Sequence, residues 1–112
     1  AYAGVATVSP VSASSGQVND KESNITAPSV NVGAEGSAVI GVFGISRLVT
    51  MEPPDAMVER EERSCIPTAP YFLSIEIADQ AWAPTGPTGS QVATASGPSP
   101  NIGQLVVLNP TS

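Results

Sequence analysis

The chain has 112 residues and a formal net charge of −6, because ten acidic residues outnumber four basic ones. So few basic side chains cannot neutralise the phosphates of a nucleic acid or an anionic membrane surface, and we expect neither as a partner. Histidine is absent and Cys65 is the single cysteine, which excludes a histidine-based catalytic set, an internal disulfide and a cysteine–histidine zinc site. We therefore expect a protein that is not an enzyme and has no cofactor.

Large side chains that could fill a core are scarce. Hydrophobic residues make up 41% of the chain, but there are only one tryptophan, two tyrosines and two phenylalanines. Proline and glycine contribute 11 and 10 residues, which is more than a typical globular domain contains. A chain of this length forms one domain at most. A core this lightly filled suggests support from a neighbouring subunit.

The first 35 residues are predicted to form an extended N-terminal arm. Small residues separate its few apolar side chains, and residues 12–24 are polar and typical of a loop. Such an arm is suited to docking on another surface, where a partner can pair with its backbone. On this view, deletion of residues 1–24 leaves a folded protein that no longer assembles. The candidate interface residues are Tyr2, Val5, Val8, Val11 and Trp82.

Residues 36–112 are predicted to form a small all-β domain, a sandwich or barrel of four to six strands with one short helix. The strongest strand signal is the β-branched run at 37–50, which Gly41 and Gly44 interrupt, so that it forms one strand or two. Pro53 and Pro54 then precede residues 56–63, for which a short helix and a charged loop are equally compatible with the sequence.

Two further strands complete the predicted domain. Apolar and polar residues alternate over 71–77, which is typical of a half-buried strand, and residues 104–108 form a final apolar strand. Proline, glycine, threonine and serine dominate residues 81–100, which predicts an exposed loop. The side chains expected to be most buried are Ile40, Val42, Leu73, Ile75, Val106 and Leu108.

Carboxylates offer the chain's main possibility for chemistry. Five of them lie within residues 52–62, where they could form a weak Ca²⁺ or Mg²⁺ site or, as we expect, a solvated charged surface with Arg60 and Arg63. Glu76 and Asp79 could act as a glycosidase-like pair, but we expect Glu76 to face solvent. Without a histidine base, Cys65 is expected to be an idle thiol.

The overall composition suggests a structural role. A small acidic β protein with arms rich in proline, alanine, threonine, serine and glycine, and without a catalytic set, resembles the capsid decoration or cement proteins of tailed phages. That resemblance implies a virion-surface or extracellular assembly protein that binds other protein subunits, with a homotrimer as the first expectation. The alternative is a small extracellular ligand- or carbohydrate-binding β-sandwich that uses Trp82, Tyr71 and residues 83–100. A further alternative is a fragment of a larger structural polypeptide.

Overall fold

A computed structural model describes residues 11–55, 57–68, 71–82 and 85–109. These ranges contain strands and no helix, which confirms the all-β class. The strands are β1 (Val11–Ala27), β2 (Asn31–Val32), β3 (Ser37–Ile45), β4 (Met51–Glu52), β5 (Val58–Thr68), β6 (Tyr71–Trp82), β7 (Gly86–Pro87) and β8 (Gln91–Leu108).

One antiparallel sheet contains most of the chain. Its strand order is β1-β8-β3-β6-β5, and the short β4 also pairs with β8. The pairs β1–β8, β3–β6, β3–β8 and β5–β6 are all antiparallel. β2 and β7 form a separate two-stranded sheet. The strands predicted at 71–77 and 104–108 are confirmed as parts of β6 and β8, and β3 occupies the first part of the run predicted at 37–50.

The predicted helix at 56–63 is wrong over the described residues. Val58–Thr68 is strand β5, which pairs with β6 along the edge of the sheet. A helix of about eight residues has little stability of its own. The edge of β6 offers the same segment backbone hydrogen-bond partners along most of its length. Charged side chains also suit an edge strand, because they discourage pairing with other molecules.

The predicted N-terminal arm and the predicted loop at 81–100 also need correction. β1 begins at Val11 and pairs with β8, and Ile25 and Ala27 at its end are fully buried. β8 begins at Gln91, inside the segment predicted as a loop. β1 and β8 pair with each other through their backbones. Neither strand therefore needs a continuous run of apolar side chains in order to form. Tyr2, Val5 and Val8 lie outside the described residues.

β1 and β8 form a long two-stranded ribbon that folds back over itself. Its register shifts between Asn19 and Asn24, and the Asn19 side chain there donates hydrogen bonds to Asn101 Oδ1 at 2.7 Å and to the Thr26 carbonyl at 3.1 Å. A Cβ placed on Gly103 would lie 2.5 Å from the Thr26 carbonyl oxygen. The later half of β1 therefore packs directly over β8.

The core lies on the side of the sheet opposite to the one predicted. The six side chains expected to be most buried, including Ile40, Val42 and Leu73, are only partly buried. Both faces of β3 are apolar, so alternation alone could not decide which face is covered. The covered face is the one over which the ribbon folds. Its large apolar side chains on β3 and on the last part of β8 are fully or nearly fully buried: Val39, Phe43, Ile45, Leu105 and Val107.

Candidate functional site

The uncovered side of the sheet is apolar across four neighbouring strands. Residues that pair directly across antiparallel strands point to the same face. Val42 pairs with Ile77, Ile40 pairs with Val106, and Val18 pairs with Ile102. We call this surface the outer face and define it by Val18, Ile40, Val42, Leu73, Ile75, Ile77, Ile102 and Val106, each of which is partly or largely exposed.

A shallow depression of about 400 Å³ lies within the outer face. Val42, Leu73, Ile75 and Ile102 are among the residues that line it. Val18 stands at its border with 79% of its surface exposed, and Ile102 is 39% exposed. Contiguous exposed apolar surfaces commonly mark the places where soluble proteins bind partners.

The covered side of β6, by contrast, carries polar side chains. Ser74 is fully buried and donates a hydrogen bond from Oγ to the Arg47 carbonyl at 2.7 Å. The same Oγ accepts a hydrogen bond from the Val49 amide at 3.2 Å and lies 2.7 Å from Ser64 Oγ. Ser74 is therefore well satisfied. Glu76, the next residue on this face, is not.

Glu76 is fully buried, and neither of its carboxylate oxygens has a hydrogen-bond partner among the described residues. The sequence prediction that Glu76 faces solvent is therefore wrong. Directly opposite it on β5 is Glu62, whose Oε2 accepts a hydrogen bond from the Met51 amide at 3.3 Å. An ionised carboxylate without a partner is costly in a buried position.

A β-bulge at Arg60 adds a third carboxylate to this pair. The register shifts between Glu59, which pairs with Ala78, and Glu61, which pairs with Ile77. Residues three apart in a regular strand point to opposite faces. The extra residue places Glu59 and Glu62 on the same, covered face.

Glu59, Glu62 and Glu76 thus form a cluster in which one carboxylate oxygen from each residue lies within 4.8 Å of the others. The pKa of Glu76 is raised from 4.5 to about 8, and burial is the largest cause. The Glu59 carboxylate is the next cause, because it favours a protonated Glu76 that can donate a hydrogen bond to it, and the charges of Glu62 and Glu52 account for the rest of the shift. The cluster can therefore hold either a proton or a cation.

The arginines of β5 form ion pairs outside this cluster. Arg60 Nε lies 2.8 Å from Asp79 Oδ1, and Arg63 Nε lies 2.6 Å from Glu61 Oε1. Glu61 points to the outer side of the sheet because it pairs with Ile77. The charged surface predicted from residues 52–62 is thus divided between the two faces. Glu76 and Asp79 lie on opposite faces of β6 and do not form a catalytic pair.

The structure separates the remaining predicted site residues. Val11 begins β1, whereas Trp82 ends β6 opposite Ser37. Trp82 is partly buried against the core, and its indole Nε1 is buried without a hydrogen-bond partner among the described residues. It therefore does not belong to the outer face. Cys65 lies in β5 opposite Leu73.

The sequence contains only partial signals for the outer face and for the carboxylate cluster. The outer face follows from apolar residues on both sides of β3, a pattern at 37–45 that predicts a core strand as readily as an exposed apolar surface. The carboxylate cluster depends on the bulge and on the pairing of β5 with β6. A helix at 56–63, as predicted, would contain neither the bulge nor the pairing of β5 with β6.

Comparisons with known proteins do not place the chain in a family. No protein-family model, no curated protein and no solved structure matches it. No helix able to cross a membrane is present in the part of the chain that the structure describes. The function must therefore be inferred from the arrangement of the chain's own residues.

Proposed function

We propose that this chain is a non-enzymatic structural protein that associates with copies of itself and with neighbouring subunits of a larger assembly. The setting we propose is a virion surface, with the chain as a capsid decoration or cement protein, or an extracellular assembly. The observation that carries this proposal is the outer face, an apolar surface on one side of the main sheet.

The energetics of the outer face favour a partner. Its isoleucine, leucine and valine side chains remain partly in water on four adjacent strands. Each Å² of apolar surface removed from water contributes about 25 cal/mol, and this gain opposes the entropy lost when two molecules associate. Single exposed apolar residues are ordinary on protein surfaces, but a continuous set is typical of an interface.

The charge distribution favours a second copy as the partner. The net charge of −6 makes two copies repel each other over most approaches. The residues that define the outer face carry no charge, so two copies can meet there with least repulsion. We infer that the folded-back ribbon completes a small sandwich and that its outer face packs in a homotrimer, the latter by analogy with decoration proteins.

The test is the native mass of the purified chain, measured by light scattering and native mass spectrometry. A single chain weighs 11.3 kDa, and we expect a multiple of that mass. Ile102→Lys places a charge on the outer face and should return the protein to single chains, because desolvating a lysine in an apolar interface is costly.

Val92→Lys is the matched control. Val92 lies on the same strand as Ile102 and is equally exposed, at 39%, but it pairs with Thr26 near the other end of the ribbon. This variant should retain the wild-type mass, and circular dichroism should show that both variants are folded. A wild-type chain that remains single at about 100 µM would disprove self-association, and so would equal dissociation of the two variants.

The depression supports a second candidate, a small ligand-binding module. Its volume of about 400 Å³ lies within the ordinary range of ligand sites, roughly 300–1,000 Å³. An apolar lining suits an apolar ligand better than a sugar, and Trp82 is not part of it. If this function is correct, the protein is a single chain in solution and its melting temperature rises when an apolar compound binds. The Ile102→Lys variant should not show that rise in melting temperature.

A further inference from the structure

We propose that Glu59, Glu62 and Glu76 form a binding site for a divalent cation of the size of Ca²⁺. The site lies on the covered side of the β5–β6 pair, whereas the proposed interface lies on the outer face. The inference therefore does not depend on the proposed function. It rests on three carboxylates that converge and on the unpartnered state of the buried one.

The state of Glu76 distinguishes this cluster from an ordinary acidic surface. Solvated carboxylates satisfy their oxygens with water, but Glu76 is fully buried. Both of its oxygens lack a hydrogen-bond partner within the described part of the chain. Its carboxylate also lies within reach of two others. A cation at the centre of the three would supply the interaction that Glu76 lacks and would be bound by all three carboxylates at once.

The spacing of the carboxylates suits a large cation. Ca²⁺ binds oxygen at about 2.3–2.6 Å, so oxygens on opposite sides of the ion are about 4.6–5.2 Å apart. One oxygen from each of the three carboxylates lies within 4.8 Å of the other two, which is within the span of the ligands of one such ion. Mg²⁺ binds oxygen at about 2.0–2.1 Å and requires a tighter set of ligands. A site with only oxygen donors also favours these hard cations over zinc.

Charge and access support the same assignment. Arg60 and Arg63 pair with Asp79 and Glu61 and leave the negative charge of the cluster in place. Glu59 is exposed and Glu62 is partly buried, so a cation can enter from solvent and keep water among its ligands. Three carboxylates completed by water suggest a dissociation constant of about 10⁻⁴–10⁻³ M, as in extracellular calcium modules.

The full chain provides the test, after treatment with a chelator and dialysis into calcium-free buffer. Isothermal titration with CaCl₂ at about pH 8 should give saturable binding of one ion per chain. The melting temperature should rise with CaCl₂ up to about 10 mM and should not rise with NaCl of equal ionic strength. MgCl₂ should produce a weaker response.

Two variants make the test specific. Glu76→Gln keeps the shape of the side chain but removes its charge, and it should weaken Ca²⁺ binding at least about tenfold. Glu61→Gln is the matched control, because Glu61 lies on β5 between Glu59 and Glu62 but points to the outer side and pairs with Arg63. Its Ca²⁺ affinity should be that of the wild type. No saturable binding by the wild type would overturn the proposal, as would equal affinities of the wild type and Glu76→Gln or equal losses in the two variants.

Discussion

Glu76 is the residue at which burial and charge conflict most directly. It lies between Ser74 and Ala78 on the covered face of β6, where Ser74 has a full set of hydrogen bonds and Ala78 needs none. A buried carboxyl without partners favours its neutral form. The neighbouring acidic side chains increase that preference. The protonation state of this one residue therefore affects the stability of the whole fold.

The raised pKa makes folding stability depend on pH. The pKa of Glu76 is about 8 in the folded chain and 4.5 ordinarily, so the folded state binds the proton more tightly. The stability that the protonated Glu76 contributes to the fold is fully present below pH 4.5 and is lost as the pH rises through 8. Between these values, with chelator present, the contribution should fall by about 1.4 kcal/mol for each pH unit.

Glu76→Gln isolates this effect. The introduced amide cannot ionise and can donate to the carboxylates of Glu59 and Glu62, so the variant should gain stability relative to the wild type as the pH rises. Urea unfolding of both proteins at several pH values from about 5 to 8 gives the difference in free energy. A difference that stays constant over that range would show that Glu76 does not titrate there.

At the scale of single residues, the sequence predicted the presence of strands better than the burial of their side chains. Leu73 and Ile75 alternate with Ser74 and Glu76, and their apolar side chains predict that Leu73 and Ile75 face the core. In the structure, Ser74 and Glu76 face the core instead. The covered face is determined by the segments that pack over β6, which lie far away in sequence. Local alternation therefore could not distinguish the two faces.

Among the elements, the folded-back β1–β8 ribbon determines how closely the layers approach. Asn101 stabilises its bend, because its side-chain amide donates to the carbonyls of Glu22 at 3.1 Å and Ser99 at 3.1 Å. Gly103 allows the later half of β1 to pack against β8 without a side chain between them. Asn19, which bonds to Asn101 at this bend, lies in the polar segment 12–24 that the sequence predicts as a loop, because asparagine is an ordinary turn residue.

Gly103→Ala should destabilise the fold by about 1–3 kcal/mol, because the added methyl group overlaps backbone atoms that cannot move independently. The nearest of these is the Thr26 carbonyl oxygen, 2.5 Å from the expected Cβ position. Gly44→Ala is the control, since its nearest neighbour would be Ile102 Cγ2 at 3.6 Å, an ordinary contact. Thermal or urea unfolding compares the two variants. Equal stabilities would mean that the layers do not pack this closely.

At the scale of the whole molecule, the all-β class could be predicted from composition, but the arrangement of the chain could not. The N-terminal region has few apolar residues, which predicts an arm separate from the domain. In the structure, its described part forms an entire strand of the main sheet and contributes Ile25 and Ala27 to the core. Pairing between residues about 80 apart in sequence leaves no local signal.

Because β1 is part of the main sheet, we expect an N-terminal deletion to unfold the chain rather than to leave a folded protein. Removal of residues 1–24 would eliminate most of β1 and leave β8 without its partner along much of its length. We expect the truncated chain to be unfolded, because unpaired backbone groups and an uncovered core are both costly. Amide dispersion in an NMR spectrum measures this directly. A well-dispersed spectrum would restore the view of this region as a separable arm.

The bulge at Arg60 also limits how copies of the chain can join. β5 is an edge strand of the sheet, and a regular edge would offer its free backbone groups to another molecule. The bulge interrupts that row, and the charged residues from Glu59 to Arg63 surround it with side chains that resist desolvation. Extension of the sheet from one molecule to the next is therefore disfavoured at this edge. Edge-to-edge pairing can continue from one molecule to the next as a fibre, so a blocked edge favours association through the outer face instead.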